Sequence, residues 1–275
     1  TGFTLGNSDV INDTGTSYVA WNWKANGGTT STLTGGTINS TVQASTKAGF
    51  SIVSYTGNAT NNATVAHGLS SAPEFVITKS LGATGAWQIL TNITSDYEEG
   101  DFISLNSTGA VGNSANVTFA PTSTLWKMQG GQAGNVAVTQ IAYCFHSVEG
   151  YSKFGSYIGN ANDNGVFVFL GFKPSFIMLK SASATSAFTS WVMYDNKRKT
   201  FNDDVGDNSN PLYANKSAAE GERGNGTSDL SGNANAIDFL SNGFKCRDNA
   251  DEINATETFV YMAFAESPFK YSNSE

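Results

Sequence analysis

Gly49-Phe50-Ser51 … Ser54-Tyr55-Thr56-Gly57-Asn58-Ala59 … Pro73-Glu74-Phe75-Val76-Ile77-Thr78-Lys79-Ser80 … Trp87 decides the fold, because the chain writes it twice. Its second reading is Gly150-Tyr151-Ser152 … Ser156-Tyr157-Ile158-Gly159-Asn160-Ala161 … Pro174-Ser175-Phe176-Ile177-Met178-Leu179-Lys180-Ser181 … Trp191. The runs are short, β-branched and aromatic, and they are punctuated by Gly, Asn, Pro and Ser, which is how strands joined by turns are written. Working outward, the end of the unit occurs three times, as Ile141-Ala142-Tyr143-Cys144-Phe145, as Val260-Tyr261-Met262-Ala263-Phe264 and as Tyr18-Val19-Ala20-Trp21-Asn22-Trp23. Gly2-Phe3 stands as far ahead of Trp23 as Gly243-Phe244 stands ahead of Phe264, and Ile11-Asn12-Asp13-Thr14 echoes Ile253-Asn254-Ala255-Thr256. Three closing segments, at 1–25, 117–147 and 242–266, therefore face two opening segments. Thr1 falls inside a repeat, which leads us to expect a processed or partial form of something longer.

Strand signals dominate and helix signals are nearly absent. The spacing predicts strands at Phe50–Tyr55, Phe75–Lys79, Trp87–Leu90, Phe102–Leu105 and Val136–Phe145, and again at Val166–Leu170, Phe176–Lys180, Trp191–Tyr194, Ile237–Leu240 and Thr258–Phe264. With no amphipathic helix between them, such strands form antiparallel sheets. The expected fold is all-β: tandem antiparallel β-sandwich repeats of jelly-roll or concanavalin-like type, with an incomplete repeat at the N-terminus. The expected organisation is 1–48 as closing strands of an incomplete first repeat plus linker, 49–149 as one sandwich, and 150–275 as a second with a long 196–236 insertion. Leu33, Ile38 and Val42 make the Gly, Thr and Ser-rich linker an ordered edge strand that docks onto the next unit. Pro73 and Pro174 suit strand starts or edges, and Phe75, Trp87, Phe176 and Trp191 read as core.

Only 14% of the 275 residues are charged, and the net charge of -8 argues against nucleic-acid or anionic-membrane partners. Lys197-Arg198-Lys199 is the one basic cluster and reads as a solvated turn. No stretch is long and apolar enough to span a bilayer with a helix. Cys144 and Cys246 fall at non-equivalent places in the repeat and read as free, buried thiols. His67 and His146 lie in no nucleophile context, and the carboxylates Asp96, Glu98, Glu99, Asp101, Glu220 and Glu222 read as solvated turns rather than a hydrolytic pair. No catalytic or cofactor-binding residue is expected. Asp203, Asp204 and Asp207 in one loop, and Asp248 and Asp251 in another, supply the hard oxygens that calcium prefers and are the candidates for a structural calcium.

The runs Ala20-Trp21-Asn22-Trp23-Lys24-Ala25-Asn26-Gly27-Gly28, His67-Gly68-Leu69 and Val148-Glu149-Gly150-Tyr151-Ser152-Lys153-Phe154-Gly155, with Asp238-Phe239-Leu240-Ser241-Asn242-Gly243-Phe244 and Ala265-Glu266-Ser267-Pro268-Phe269-Lys270, resemble a repeat domain of marine, cyanophage-like bacteriophage virion proteins. Domains of that kind lie beside laminin-G or concanavalin-like sandwiches. The resemblance covers nearly the whole chain and transfers no catalytic residue. It implies a non-enzymatic structural protein of the virion surface, a tail fibre or capsid decoration, whose partners are copies of itself, other virion proteins and host-surface glycans. The competing expectation is an extracellular carbohydrate-binding module. An unpaired sandwich half leaves strand edges open, so Phe3, Tyr18, Trp21 and Trp23 are expected at an interface, covered by preceding sequence or by a neighbouring subunit.

Overall fold

The computed structural model describes residues 2–92, 101–113, 119–128, 130–131, 134–183, 189–198, 211–218, 220 and 237–268. The protein is nearly all-β, with its strands in antiparallel sheets. In chain order the elements are α1 (Asp9–Asn12), β1 (Ser31–Leu33), β2 (Ser40–Ser45), β3 (Phe50–Thr56), β4 (Ala63–Ala66), β5 (Phe75–Ser80), β6 (Gln88–Thr91), β7 (Asp101–Ser104), β8 (Gly112–Asn113), β9 (Leu125–Met128) and β10 (Thr139–Phe145). They continue as β11 (Ser152–Ile158), β12 (Phe167–Phe169), β13 (Pro174–Ser181), β14 (Val192–Asp195), β15 (Leu212–Tyr213), β16 (Ile237–Leu240), β17 (Gly243–Cys246), α2 (Asp251–Asn254) and β18 (Thr258–Ala265).

One sheet runs β1-β2-β3-β10-β5-β6-β7-β8 and carries the two-stranded sheet β4-β9 on one face. A second runs β11-β18-β13-β14-β15 and carries β12-β17-β16. Because side chains alternate across a strand, each large sheet buries residues on both faces. Val53, Tyr55, Val76, Leu90, Ala142 and Cys144 meet Val65, Trp126 and Met128 of the first small sheet. Ile177, Leu179, Val192, Tyr194, Phe259 and Tyr261 meet Val168, Phe239 and Phe244 of the other. The opposite faces of the two large sheets pack on each other: Phe50, Phe75, Ile89, Ile103 and Phe145 against Phe154, Phe176, Met178, Trp191, Val260, Met262 and Phe264. The result is four β layers with an aromatic seam in the middle. Within it Phe145 lies 5.6 Å from Phe154 and 6.1 Å from Phe264, centroid to centroid. Among the described residues no ladder joins strands of 31–145 to strands of 152–265, so this seam and a few hydrogen bonds hold the two sheet pairs together.

The linker is ordered. β2 pairs with β3 along its whole length, β1 pairs with β2, and Ile38 and Val42 are buried. The expectation of closing strands at residues 1–25 is corrected. Residues 2–30 contain no strand; α1 is a single turn and Tyr18–Ala25 belongs to no ladder. A strand is a property of a pair, and this segment has the strand's sequence without its neighbours. Most of the long insertion lies outside the described residues. Its described part contributes β15, which pairs with β14 and buries Tyr213 in the second core.

Candidate assembly surface

Among the described residues, the titratable groups singled out in the sequence do not converge on one centre. His67 is fully buried; its Nε2 faces Thr122 O at 3.1 Å and its Nδ1 accepts the Leu69 N–H at 3.1 Å. Burial holds its pKa below the ordinary histidine value, and this bonding fixes the neutral Nε2–H tautomer. His146 spends Nδ1 on Ser147 O at 2.9 Å. Glu220 accepts from Arg198 at 3.0 Å; Asp96, Glu98, Glu99 and Glu222, and the side chain of Asp101, lie outside the described residues. Cys144 and Cys246 are free and buried, one in each of two separate cores, and burial pushes the Cys246 thiol up to about 12.

The calcium candidates divide in the same way. Asp203, Asp204 and Asp207 lie outside the described residues. Asp248 and Asp251 do not form a shared oxygen cage. Asp248 Oδ1 accepts the Ala250 N–H at 2.9 Å as a local turn cap, and Asp251 is exposed in the single turn of α2. Among the described residues no three His, Cys, Asp or Glu side chains gather closely enough to hold an ion. A polar cleft of about 160 Å³ is lined by Thr78, Ser80, Gly85, Gln88, Gly134 and Val136. Two of its hydroxyls are spent internally, Thr78 on Gln88 O at 3.4 Å and Ser80 on Gln140 Oε1 at 2.9 Å.

The unusual surface is at the N-terminus. Residues 2–20 are all exposed, and they include Phe3 at 60%, Val10 at 83%, Ile11 at 46% and Tyr18 at 48%, an amount of open apolar surface that marks contact regions. Beyond Ala20 the segment alternates. Trp21, Trp23 and Ala25 are half-buried on the aromatic seam while Asn22 and Lys24 point outward. Trp21 sits edge-on to Phe176 at 5.2 Å, and Trp23 lies 5.6 Å from Phe176 and 5.3 Å from Phe264. Of the four expected interface residues, Phe3 and Tyr18 are open to solvent, whereas Trp21 and Trp23 are covered by the chain's own second large sheet.

Trp21 is held by a polar clamp that the sequence reading missed. Its Nε1 donates to Asp195 Oδ2 at 3.2 Å, and Arg198 lies 5.9 Å from its ring. Arg198 is therefore no solvated turn residue: Nε donates to Asp195 Oδ2 at 2.6 Å and the side chain is 13% exposed. Burial would raise the Asp195 carboxyl, but the guanidinium and the Lys197 and Arg198 backbone N–H groups hold it below the usual carboxylate value. The signal available in advance was Asp195 placed three residues before Arg198 at a strand end.

A four-layered antiparallel β protein with an exposed apolar arm is the class that these observations define. The chain belongs to the DUF7483 family, a domain of unknown function, whose profile matches residues 1–268. No curated protein and no solved structure matches it.

Proposed function

We propose that this chain is a non-enzymatic structural module of a bacteriophage virion surface, a tail fibre or capsid decoration, built from two copies of one sandwich (49–149 and 150–275) preceded by the closing part of a third and a linker (1–48), the linker strands β1 and β2 joining the sheet of the first copy. Two copies are supported by strand order, β3-β10-β5-β6-β7 beside β11-β18-β13-β14-β15. They are supported equally by bonds that recur at matching places. Tyr55 Oη donates to Gly134 O at 2.6 Å and Tyr157 Oη to Ile253 O at 2.6 Å. The Asn58 N–H donates to Asn135 Oδ1 at 2.9 Å and the Asn160 N–H to Asn254 Oδ1 at 3.0 Å. Asn135 and Asn254 return a bond to Thr60 O and Asn162 O, each at 2.8 Å. Ala59 and Ala161 both take positive φ between these partners.

The observation that carries the structural reading is the N-terminal arm, which presents apolar side chains to solvent beside a rigid multilayer core. An arm of that kind serves assembly. The virion setting comes from the resemblance of the Val148–Gly155 and Ala265–Lys270 runs. A sparsely charged β surface suits it, because salt screens surface charges over a few Å. The test is immunogold labelling of purified particles with antibody against this chain, together with mass spectrometry of the same particles. Copies at regular positions on tail or capsid are the expected result; a chain found only in free solution would overturn the reading.

A further inference from the structure

We propose that the polar cleft at one end of the first sandwich binds a neutral, polyhydroxylated ring, a single pyranose. The inference goes beyond the virion reading and does not depend on it.

The second sandwich shows what closes this end when nothing is to be bound. Thr78 pairs with Gln88 across β5 and β6 at the place where Leu179 pairs with Val192 across β13 and β14. Gly134 O takes the Tyr55 hydroxyl as Ile253 O takes that of Tyr157, which aligns Gly134 with Ile253. Gln140 stands opposite Tyr55 in its ladder as Phe259 stands opposite Tyr157. Leu179, Val192, Ile253 and Phe259 are all fully buried in the second core. Thus four apolar positions of one sandwich are Thr, Gln, Gly and Gln in the other, and three of those four line the cleft. Apolar side chains fill such sites at less cost than polar ones, so packing does not account for the exchange.

The polar groups divide into a frame and a binding face. Gln140, fully buried, accepts from Ser80 Oγ at 2.9 Å and donates to Val136 O at 3.0 Å, so this pair is satisfied. Among the described residues the half-buried Gln88 amide makes no hydrogen bond. The Thr78 hydroxyl reaches Gln88 O only at 3.4 Å, longer than such bonds are ordinarily made, and Thr84 is exposed at the rim. Two hydroxyls and an amide both give and accept, which is the complement of neighbouring sugar hydroxyls. Gly134, at φ +77, keeps the floor open, since a Cβ there would stand 3.2 Å from Thr78 Cγ2. Among the described residues no charged side chain lines the cleft, and Lys79 beside it spends Nζ on Gly85 O at 2.7 Å. A carboxylate or phosphate would go unpaired there, and no aromatic ring is present to stack a planar ligand. A cavity of about 150 Å³ holds one six-membered ring, so about 160 Å³ takes one pyranose and no longer chain.

The experiment titrates the full chain with glucose, galactose and mannose, and with their methyl glycosides, and follows the amide cross-peaks by NMR. Saturable shifts of the Gln88 side-chain amide are expected with at least one sugar. The usual efficiency per non-hydrogen atom puts the dissociation constant at about 2 mM. Methyl glycosides that bind as well as the free sugars identify the terminus of a glycan; free sugars alone identify a soluble sugar. Thr78→Leu and Gln88→Val install the residues of the second sandwich, and each should weaken binding at least tenfold with an unchanged or raised melting temperature. Gln88→Val, at a half-buried position, decides the matter where Thr78→Leu does not fold. Absence of any shift at about twenty times the expected constant overturns the proposal, as does binding that stays within about threefold in Gln88→Val. Glucuronate binding as tightly as glucose would overturn the assignment of a neutral ligand. Sugar binding by a chain absent from particles would sink the virion setting alone; labelled particles without sugar binding would sink this inference alone.

Discussion

Lys180 is the sharpest place to test how the two sheet pairs are joined. It lies on β13 on the seam side and has no solvent exposure. Its Nζ donates to Thr108 O at 3.1 Å, in the loop that follows β7, and to Thr189 O at 2.6 Å. Burial lowers its pKa from 10.5 to about 8, and the charge of Glu257 opposes that fall only in part. Each pKa unit is worth about 1.4 kcal/mol, so holding the ammonium inside costs the folded state about 3 kcal/mol. The folded pKa lies below the unfolded one. That cost is therefore present in full below about pH 8, and it is shed progressively as pH rises toward 10.5, where the unfolded chain still binds a proton that the folded chain has released.

Lys180→Met keeps most of the side-chain volume and removes the titration. Urea unfolding at pH 7 and pH 9.5 is followed by tryptophan fluorescence, to which Trp191, whose Nε1 donates to Ser104 O across the seam at 3.0 Å, contributes. The stability difference between wild type and Lys180→Met should move by about 2 kcal/mol in favour of wild type between those two pH values. Measuring the difference cancels the buried tyrosines, which both proteins share, and pH 9.5 stays below the ordinary tyrosine value. The absolute offset at pH 7 combines relief of the buried charge with the unpaired Thr108 and Thr189 carbonyls, so it is not the readout. A difference that stays flat to within about 0.5 kcal/mol would refute the claim that a charged lysine is buried in the seam.

Three further outcomes follow from specific contacts. A Cβ at Gly159 would overlap Ala255 O and one at Gly57 would overlap Val136 O, whereas Gly85 has open space around it; Gly159→Ala and Gly57→Ala should each lose about 3 kcal/mol or more in urea unfolding, and Gly85→Ala should stay within about 0.5. Asn254→Ala strips the partners from the Asn160 N–H and the Asn162 and Asp248 carbonyls in a buried site, and should cost about 3 kcal/mol by thermal or chemical unfolding. Trp21→Ala removes the edge-on contact with Phe176 and the bond to Asp195; limited proteolysis should then cut within residues 2–25 several times faster while the melting temperature changes by less than about 2 °C.

The strands most legible in the sequence were those whose side chains alternate or run apolar for four residues or more. Phe50–Tyr55, Phe75–Lys79 and Thr258–Phe264 all fall within β3, β5 and β18. The short strands β8 and β15 were not legible, because two residues carry no period and owe their state to a partner. Helix α2 was missed for a related reason: a single turn of Asp-Glu-Ile-Asn is fixed by the bonds of Asn254, a tertiary cause. The seam was written in the sequence and went unread. Phe176-Ile177-Met178-Leu179 is apolar on both faces, and a strand of that kind lies between two packed layers.

Reading the N-terminal segment as strands failed for an instructive reason. Tyr18–Trp23 has the same alternation as β10 and β18, but alternation specifies which face is buried and leaves open whether lateral partners exist. The structure separates these two properties. The seam face of the segment is satisfied, with Trp21 and Trp23 on Phe176 and Phe264, while the sandwich face and both edges are not. All three closing segments thus send the same face into one aromatic core, Tyr143 and Phe145 from β10, Met262 and Phe264 from β18, and Trp21 and Trp23 from the arm. Two of the three are enclosed by their own sheets. The third is oriented by the core through one face only, Trp21 and Trp23 being half-buried on the seam while Tyr18, Ala20 and Asn22 stay exposed.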